Sequence, residues 1–414
     1  MPMSKSFEER LTPLLPGIVA RFGSPFHLYD EQGMLDAIGT LKKNLFVVEG
    51  DRNFYAVKAN PNLAILRLML ANGFGLDCSS PFELSLAQRA GAPPDRVMFS
   101  SNDTSRESLR LALEYGCILN LDDVTLIEKL PKMPELISFR YNPGELRQEG
   151  TNSIIGDPPN QKFGVRRDQI SDAYRMARDS GATRFGIHTM YASNQRDASN
   201  LAGTLEMVLE LAGALGKELG IRFEFVNVGG GLGIPYRPGE EPLDVVHLGK
   251  EYARLFAVFE TENGYRPKLY AESGRYLAGP HGIIVGTVIN VMDKYRKFVG
   301  VDFSELANIP RAAIYPAYHH LTVFGKDDMS TGETVDVAGP LCENFRLAKD
   351  RVLPHMEEGD LIIVHDTGAH GVAMASQYNG WPQAQQLLLC ADGSVRVVAR
   401  ATSFEDYIRT QIEC

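Results

Sequence analysis

From about residue 53 to residue 271 the sequence keeps one cadence: a short apolar run, a turn, then a stretch whose apolar residues fall three and four apart. The apolar runs lie near 53–57, 73–77, 96–100, 117–120, 136–141, 184–188, 223–228 and 267–271, and helical patterns stand between them at 62–72, 82–91, 105–115, 167–180, 200–219 and 245–260. Strand, helix and strand in alternation predict parallel pairing, because the chain must cross back before it pairs again. Eight such units over about 250 residues match a closed (β/α)8 barrel, with an open doubly wound sheet as the competing arrangement.

A barrel places its chemistry at the carboxyl ends of the strands. The residues there are Lys58, Asp77, Asn102, Arg140 with Asn142, His188, Gly229-Gly230-Gly231, and Glu272-Ser273-Gly274-Arg275. Charged, polar and glycine residues thus gather at one edge of otherwise apolar strands. Lys58 closes the run Asn53 to Val57 and precedes Pro61, which stops a regular strand. It reads either as a surface lysine or as an amine held in a pocket with a lowered pKa, ready to form a Schiff base. Gly229-Gly230-Gly231-Leu232-Gly233 is either a tight turn or a cradle whose N–H groups close on a phosphate. Its spacing is neither GxGxxG nor GxxxxGK[ST], so neither a dinucleotide fold nor a P-loop is supported. A lysine, a phosphate cradle and an acid are together what pyridoxal phosphate asks of a protein. Glu272 is the candidate acid; its plainer role is a rim ion pair with Arg275.

After about residue 280 the helical rhythm gives way to strands at 282–292, 298–303, 334–338, 360–365 and 386–400, the last broken by the turn Ala391-Asp392-Gly393-Ser394. The expected architecture is a barrel over 33–279 and a mainly β domain made of 1–32 and 280–414, with a strand at 26–30 folded into it. The polar stretch 144–161 has the length of a mobile lid.

The net charge of -10 argues against nucleic acid or an anionic membrane surface as partner, which leaves a small-molecule substrate. Five scattered cysteines suit a reducing compartment, no metal-ligand spacing stands out, and no run reaches the roughly 20 apolar residues of a membrane span. A cytoplasmic protein is expected.

The motifs FYAVKANP at 54–61, RYNPG at 140–144, KFGV at 162–165, GGGLGIPY at 229–236, ESGR at 272–275, RAAIY at 311–315, GPLCEN at 339–344 and HDTGAHGVAMASQYN at 365–379 stand in one order along nearly the whole chain. In them the sequence resembles the fold type III pyridoxal phosphate-dependent decarboxylases, and among these most nearly the diaminopimelate decarboxylases. The resemblance implies pyridoxal 5'-phosphate as cofactor and decarboxylation of meso-2,6-diaminopimelate to L-lysine and carbon dioxide, in a homodimer with shared sites. It implies that Lys58 carries the cofactor, that Gly230, Gly231 and Arg275 hold its phosphate, and that Glu272 partners the pyridine nitrogen. His188 falls among the cofactor contacts. Cys342 matches the thiol that the second subunit supplies to return a proton to the substrate; without the resemblance it reads as a buried apolar cysteine. Arg275, Arg311, Tyr315 and Glu343 match the positions that grip the substrate's distal carboxylate and amine.

The sequence also departs from its family. Met190 stands where a histidine usually stacks on the cofactor ring, His370 where a tyrosine touches the phosphate, Asn344 where a serine adjoins the distal group, and Ser273 where there is a proline. The cofactor reading does not depend on these positions; the choice of substrate does. The alternatives are another amino acid with a distal carboxylate, ornithine or lysine as substrate, an amino-acid racemase, or a non-catalytic relative that binds a partner. Lys58 and Cys342 together disfavour the last of these, and GPLCEN disfavours the racemase.

Overall fold

A computed structural model describes residues 3–147, 156–326, 330 and 332–412. In chain order the strands are β1 (Phe26–Asp30), β2 (Arg52–Ala56), β3 (Gly75–Cys78), β4 (Val97–Phe99), β5 (Ile118–Leu121), β6 (Leu136–Arg140), β7 (Arg184–His188), β8 (Phe223–Asn227), β9 (Lys268–Ala271), β10 (Gly282–Asp293), β11 (Lys297–Val301), β12 (Leu321–Val323), β13 (Glu333–Ala338), β14 (Ala348–Leu353), β15 (Leu361–Val364), β16 (Gln385–Leu389) and β17 (Val395–Ala399). They sort into two compact units: Ile38–Ile234 with Pro242–Tyr276, and Met1–Ala37 with Pro235–Glu241 and Leu277–Cys414.

The first unit is a closed barrel, β2 to β9 in sequence order, all parallel, with β9 pairing back to β2 through Arg52 and Tyr270. The open doubly wound sheet is thereby excluded. The helices begin and end where local chemistry says they should. Ser80 caps Pro81–Ala90 by accepting the Glu83 N–H, and Gly91 ends it in the left-handed region; Ser105 and Gly116 do the same for Arg106–Tyr115. Between β5 and β6 a 3-10 turn, Val124–Lys129, stands where most units carry a full helix. The interior towards the amino ends of the strands is an apolar plug of Phe54, Met98, Ile118, Phe225 and Tyr270. Phe225 stacks on Tyr270 with ring centroids 4.4 Å apart, and Gly186 on β7 leaves that ring its room. The plug leaves only the carboxyl ends of the strands for polar groups, which is what positions the site.

The second unit is a nine-stranded sheet with a core of its own. β1 lies inside it, antiparallel to β10 and parallel to β16. The twelve-residue β10 pairs β1 and β15 with its first half and β11 with its second, shifting register between Val288 and Asn290. β12 and β14 are absent from the expected strands. β12 is three residues long, too short to show a period of two, and β14 carries Lys349, Asp350 and Arg351 at the end of the sheet, where charge rather than alternation protects an edge. Among the described residues no helix is long and apolar enough to cross a membrane.

Candidate active site

At the barrel mouth the chain leaves β2 through a 3-10 turn, Val57–Ala59, and Lys58 projects from that turn rather than from the strand itself. Its Nζ lies 3.6 Å from Oδ2 of Asp77, which is fully buried on β3. Glu272 follows β9 and is 5% exposed. Its Oε1 accepts from Asn227 Nδ2 at 2.9 Å, and its Oε2 lies 3.2 Å from His188 Nε2. The same Asn227 accepts the Gly229 N–H at 2.9 Å, and Gly229 O accepts the Glu272 N–H at 2.7 Å. One amide side chain therefore locks the acid to the glycine loop. The rim ion pair of Glu272 with Arg275 gives way to His188 and Asn227; Arg275 is itself buried, at the start of Arg275–Ala278.

Burial pushes the Glu272 carboxyl up, but His188, Lys58 and the Asn227 hydrogen bond outweigh it and hold the group below its ordinary value. Burial also works downward on Lys58, yet the carboxylates of Asp77 and Glu272 prevail and raise the amine above its usual range. The lowered amine pKa expected from the sequence is thus reversed. Two acids, Asp77 and Glu272, face the half-exposed amine, and together they outweigh its burial.

The glycine loop is a tight turn that packs bare backbone on its neighbours. Gly231 has φ +104°, and a Cβ there would stand 2.8 Å from Ala192 O; one on Gly230 would stand 2.9 Å from Glu272 O. Bare backbone is needed for packing as well as for any close ligand. The Met190 sulfur lies on this loop and accepts the Gly230 N–H at 3.1 Å.

In the second unit Arg311 is 6% exposed on Pro310–Ile314. Its Nη1 donates to Tyr236 Oη at 2.9 Å and lies 3.4 Å from His319 Nε2. His319 donates through Nδ1 to His365 O at 2.8 Å, which leaves Nε2 as the acceptor. Tyr315 ends that short helix and is 40% exposed. Cys342 is exposed, which corrects the plain reading of it as a buried thiol. Its Sγ is 3.4 Å from Tyr378 Oη, which donates to Glu343 Oε1 at 3.3 Å, and the Cys342 N–H donates to Asn379 Oδ1 at 3.1 Å. The hydrogen bond to Cys342 first, and the negative charge of both partners, push the Tyr378 phenol up to about 12. His370 is half-buried with φ +56°. Lys58, Glu272, His188, Gly230, Gly231 and Arg275 thus belong to the barrel unit, and Arg311, Tyr315, Cys342, Glu343 and His370 to the β unit. Sequence reasoning passed over Asn227, Tyr236 and Tyr378. Asn227 had a signal, a polar residue at the buried end of Phe223-Glu224-Phe225-Val226-Asn227.

A family model described as pyridoxal-dependent decarboxylase, pyridoxal binding domain, matches residues 40–279. Protein TabA of Pseudomonas amygdali pv. tabaci is 40% identical over 408 residues, covering 98% of this chain and 96% of its own. The diaminopimelate decarboxylase of Methanothermobacter thermautotrophicus is 36% identical over 397 residues, covering 94% and 92%. The chain belongs to the pyridoxal-dependent decarboxylases. The crystal structure of diaminopimelate decarboxylase from M. jannaschi superposes with a TM-score of 0.88 at 26% identity, over 96% of this chain and 94% of that one. The decarboxylase is accordingly a pyridoxal phosphate enzyme built as a barrel with a separate mainly β domain, as its motifs imply. An acid held ionised, an amine at the barrel mouth and a glycine loop tied to the acid suit the cofactor that the family uses.

Proposed function

We propose that the enzyme removes carbon dioxide from meso-2,6-diaminopimelate to give L-lysine. The observation that carries this reading is Arg311, a buried guanidinium set in place by Tyr236 and His319. An arginine so held suits a carboxylate, whose two oxygens match its fork. Ornithine or lysine would bring a second ammonium to it instead, and an unpaired, desolvated charge pair of like sign costs several kcal/mol.

In this reading Lys58 holds the cofactor, Gly230, Gly231 and Arg275 take its phosphate, His188 and His370 contact it, and Glu272 stands at the pyridine nitrogen, where its ionised state is needed. Bound there, pyridoxal phosphate supplies the electron sink that lets the bond from Cα to the carboxylate break. Arg311 and Tyr315 orient the far end of the substrate. Cys342 and Glu343 come from a second copy of the chain, and the Cys342 thiol delivers a proton to Cα, a task for a group whose pKa can be set near neutrality. The exposure of Cys342 in the single chain and the family match support a site completed in a homodimer. A second reading, another amino acid with a distal carboxylate, is favoured by Asn344, whose side-chain oxygen accepts from Arg346 at 2.6 Å where the family has a serine.

The test compares kcat/KM for meso-diaminopimelate, lysine and ornithine in the wild type and in Arg311→Ala. Diaminopimelate should lead by about 10⁴, and Arg311→Ala should remove most of that lead. Equal use of lysine or ornithine, or a preference unchanged in Arg311→Ala, refutes a distal carboxylate. Slow turnover of all three would point to the second reading.

A further inference from the structure

Two buried carboxylates, Asp77 and Glu272, face Lys58, and their surroundings pull them apart. Asn227 and His188 hold Glu272 ionised. Asp77 has no such support. Neither of its oxygens completes a hydrogen bond among the described residues, the Ser100 hydroxyl being the group that approaches it. Burial first, then the negative charge of Glu272, raise the Asp77 carboxyl well above the ordinary carboxylate range. Two acids separated in this way take different protonation roles, one a fixed charge and the other a carrier.

The barrel interior supplies an independent observation. Ser138 on β6 donates through Oγ to Asn120 Oδ1 on β5 at 3.0 Å, and Asn120 Nδ2 donates to Ser100 Oγ at 3.3 Å. Ser100, one residue past β4, then has its own hydroxyl hydrogen to turn on to Asp77 on β3. The donors run one way from β6 through β5 to Ser100 beside β4, toward the carboxylate on β3. Polar side chains in a packed barrel interior cost free energy unless they are linked, so a chain with a direction calls for a role at its end.

We propose that Asp77 is the proton acceptor for Lys58, taking the proton that the ammonium must lose before the amine can attack a carbonyl and returning it when the lysine is released. The N–H bond at Nζ breaks, its electron pair stays on nitrogen, and an O–H bond forms at Oδ2, now 3.6 Å away. The pair is neutral before and after, so no charge is created in the buried site, and no further reactant is needed. The other ionisable groups facing the pair are Glu272 after β9, Glu83 on Pro81–Ala90, Arg140 at the end of β6 and the buried Cys78. An amine held above its usual pKa by these acids needs such an acceptor, because only the free base is nucleophilic.

The inference rests on the reading that Lys58 carries the cofactor, and its test uses apoprotein. Trace acetylation with acetic anhydride from pH 6 to 11, with the Lys58 peptide quantified by mass spectrometry, gives the midpoint for the amine. Asp77→Asn removes a negative neighbour without changing shape, so the midpoint should fall by about one unit and labelling near pH 8 should rise roughly tenfold. Capture of added pyridoxal phosphate, read by its absorbance change, should nevertheless slow by about 10-fold or more, because more free base is present but the acceptor is gone. Ser100→Ala leaves the Asp77 charge in place, so it should slow capture by less with little change in the midpoint, and its capture rate carries the test if Asp77→Asn does not fold. An unchanged midpoint in Asp77→Asn, or capture in either variant as fast as or faster than in wild type, overturns the proposal. Borohydride trapping of the cofactor on a lysine other than Lys58 would instead refute the reading on which it rests, whatever the labelling shows.

Discussion

Asp366, just past β15, accepts the Met3 N–H through Oδ1 at 3.2 Å, while its other oxygen completes no hydrogen bond among the described residues. Burial raises its carboxyl from 3.8 to about 7, against the pull of the Met3 hydrogen bond and of positive charges that include Arg311. The folded state therefore holds the Asp366 proton more tightly than the unfolded chain does. That contribution to stability is complete below about pH 4 and is lost as pH rises to about 7. Asp366→Asn keeps an acceptor for Met3 and has no proton to lose. It should match the wild type in melting temperature near pH 4 and exceed it above pH 7, by an amount corresponding to about 1–3 kcal/mol. A gap that does not widen with pH would contradict the buried carboxyl. Single residues were legible in the sequence where a strand end singled them out, as with Lys58, Glu272 and His188. Partners were not, because the bonds from Asn227 to Glu272 and from Tyr236 to Arg311 join residues 45 and 75 positions apart, a distance no local pattern spans.

The strands of the barrel were readable because each is a short apolar run bounded by charge or glycine, whereas β12 and β14 lack that contrast. The glycine loop after β8 shows what an element adds to a motif. Gly229-Gly230-Gly231 left open a turn or a phosphate cradle, and the geometry makes it a tight turn whose bare backbone packs on Ala192 and Glu272. Gly231 O also accepts the Gln195 N–H at 2.8 Å, tying the loop after β7 to the loop after β8. Gly231→Ala would put a Cβ against Ala192 O at a φ of +104°, where L residues are strained, at a cost of about 1–3 kcal/mol. The expected result is a lower melting temperature together with weaker retention of pyridoxal phosphate on dialysis. If the variant melted lower but kept its cofactor as firmly as the wild type, the loop would be structural alone.

The order of motifs along 414 residues made the whole molecule legible as a barrel with a β domain, while the proposed sharing of a site between two copies is written in no local pattern. The lid expected over 144–161 has its centre, 148–155, outside the described residues; its flanks Gly144–Leu146 and Pro158–Asn160 are 3-10 turns. Cys342 is the residue on which the proposed shared site turns. In the single chain it is exposed, with Tyr378 and Glu343 beside it. If its proton goes to a substrate held on the Lys58 of a second copy, then Lys58→Ala and Cys342→Ala are each inactive for reasons that lie on different chains. Subunit exchange between them at equal amounts makes half of the dimers hybrid. Each hybrid has one site with both residues intact and one with neither, so activity should recover to about a quarter of wild type. A thiol acting on its own chain's Lys58 predicts no recovery at all, because every site in every hybrid would lack one of the two. Exchange is verified by mass spectrometry of isotope-labelled subunits, and mixtures that exchange without regaining activity would place the thiol and the lysine in the same chain's site.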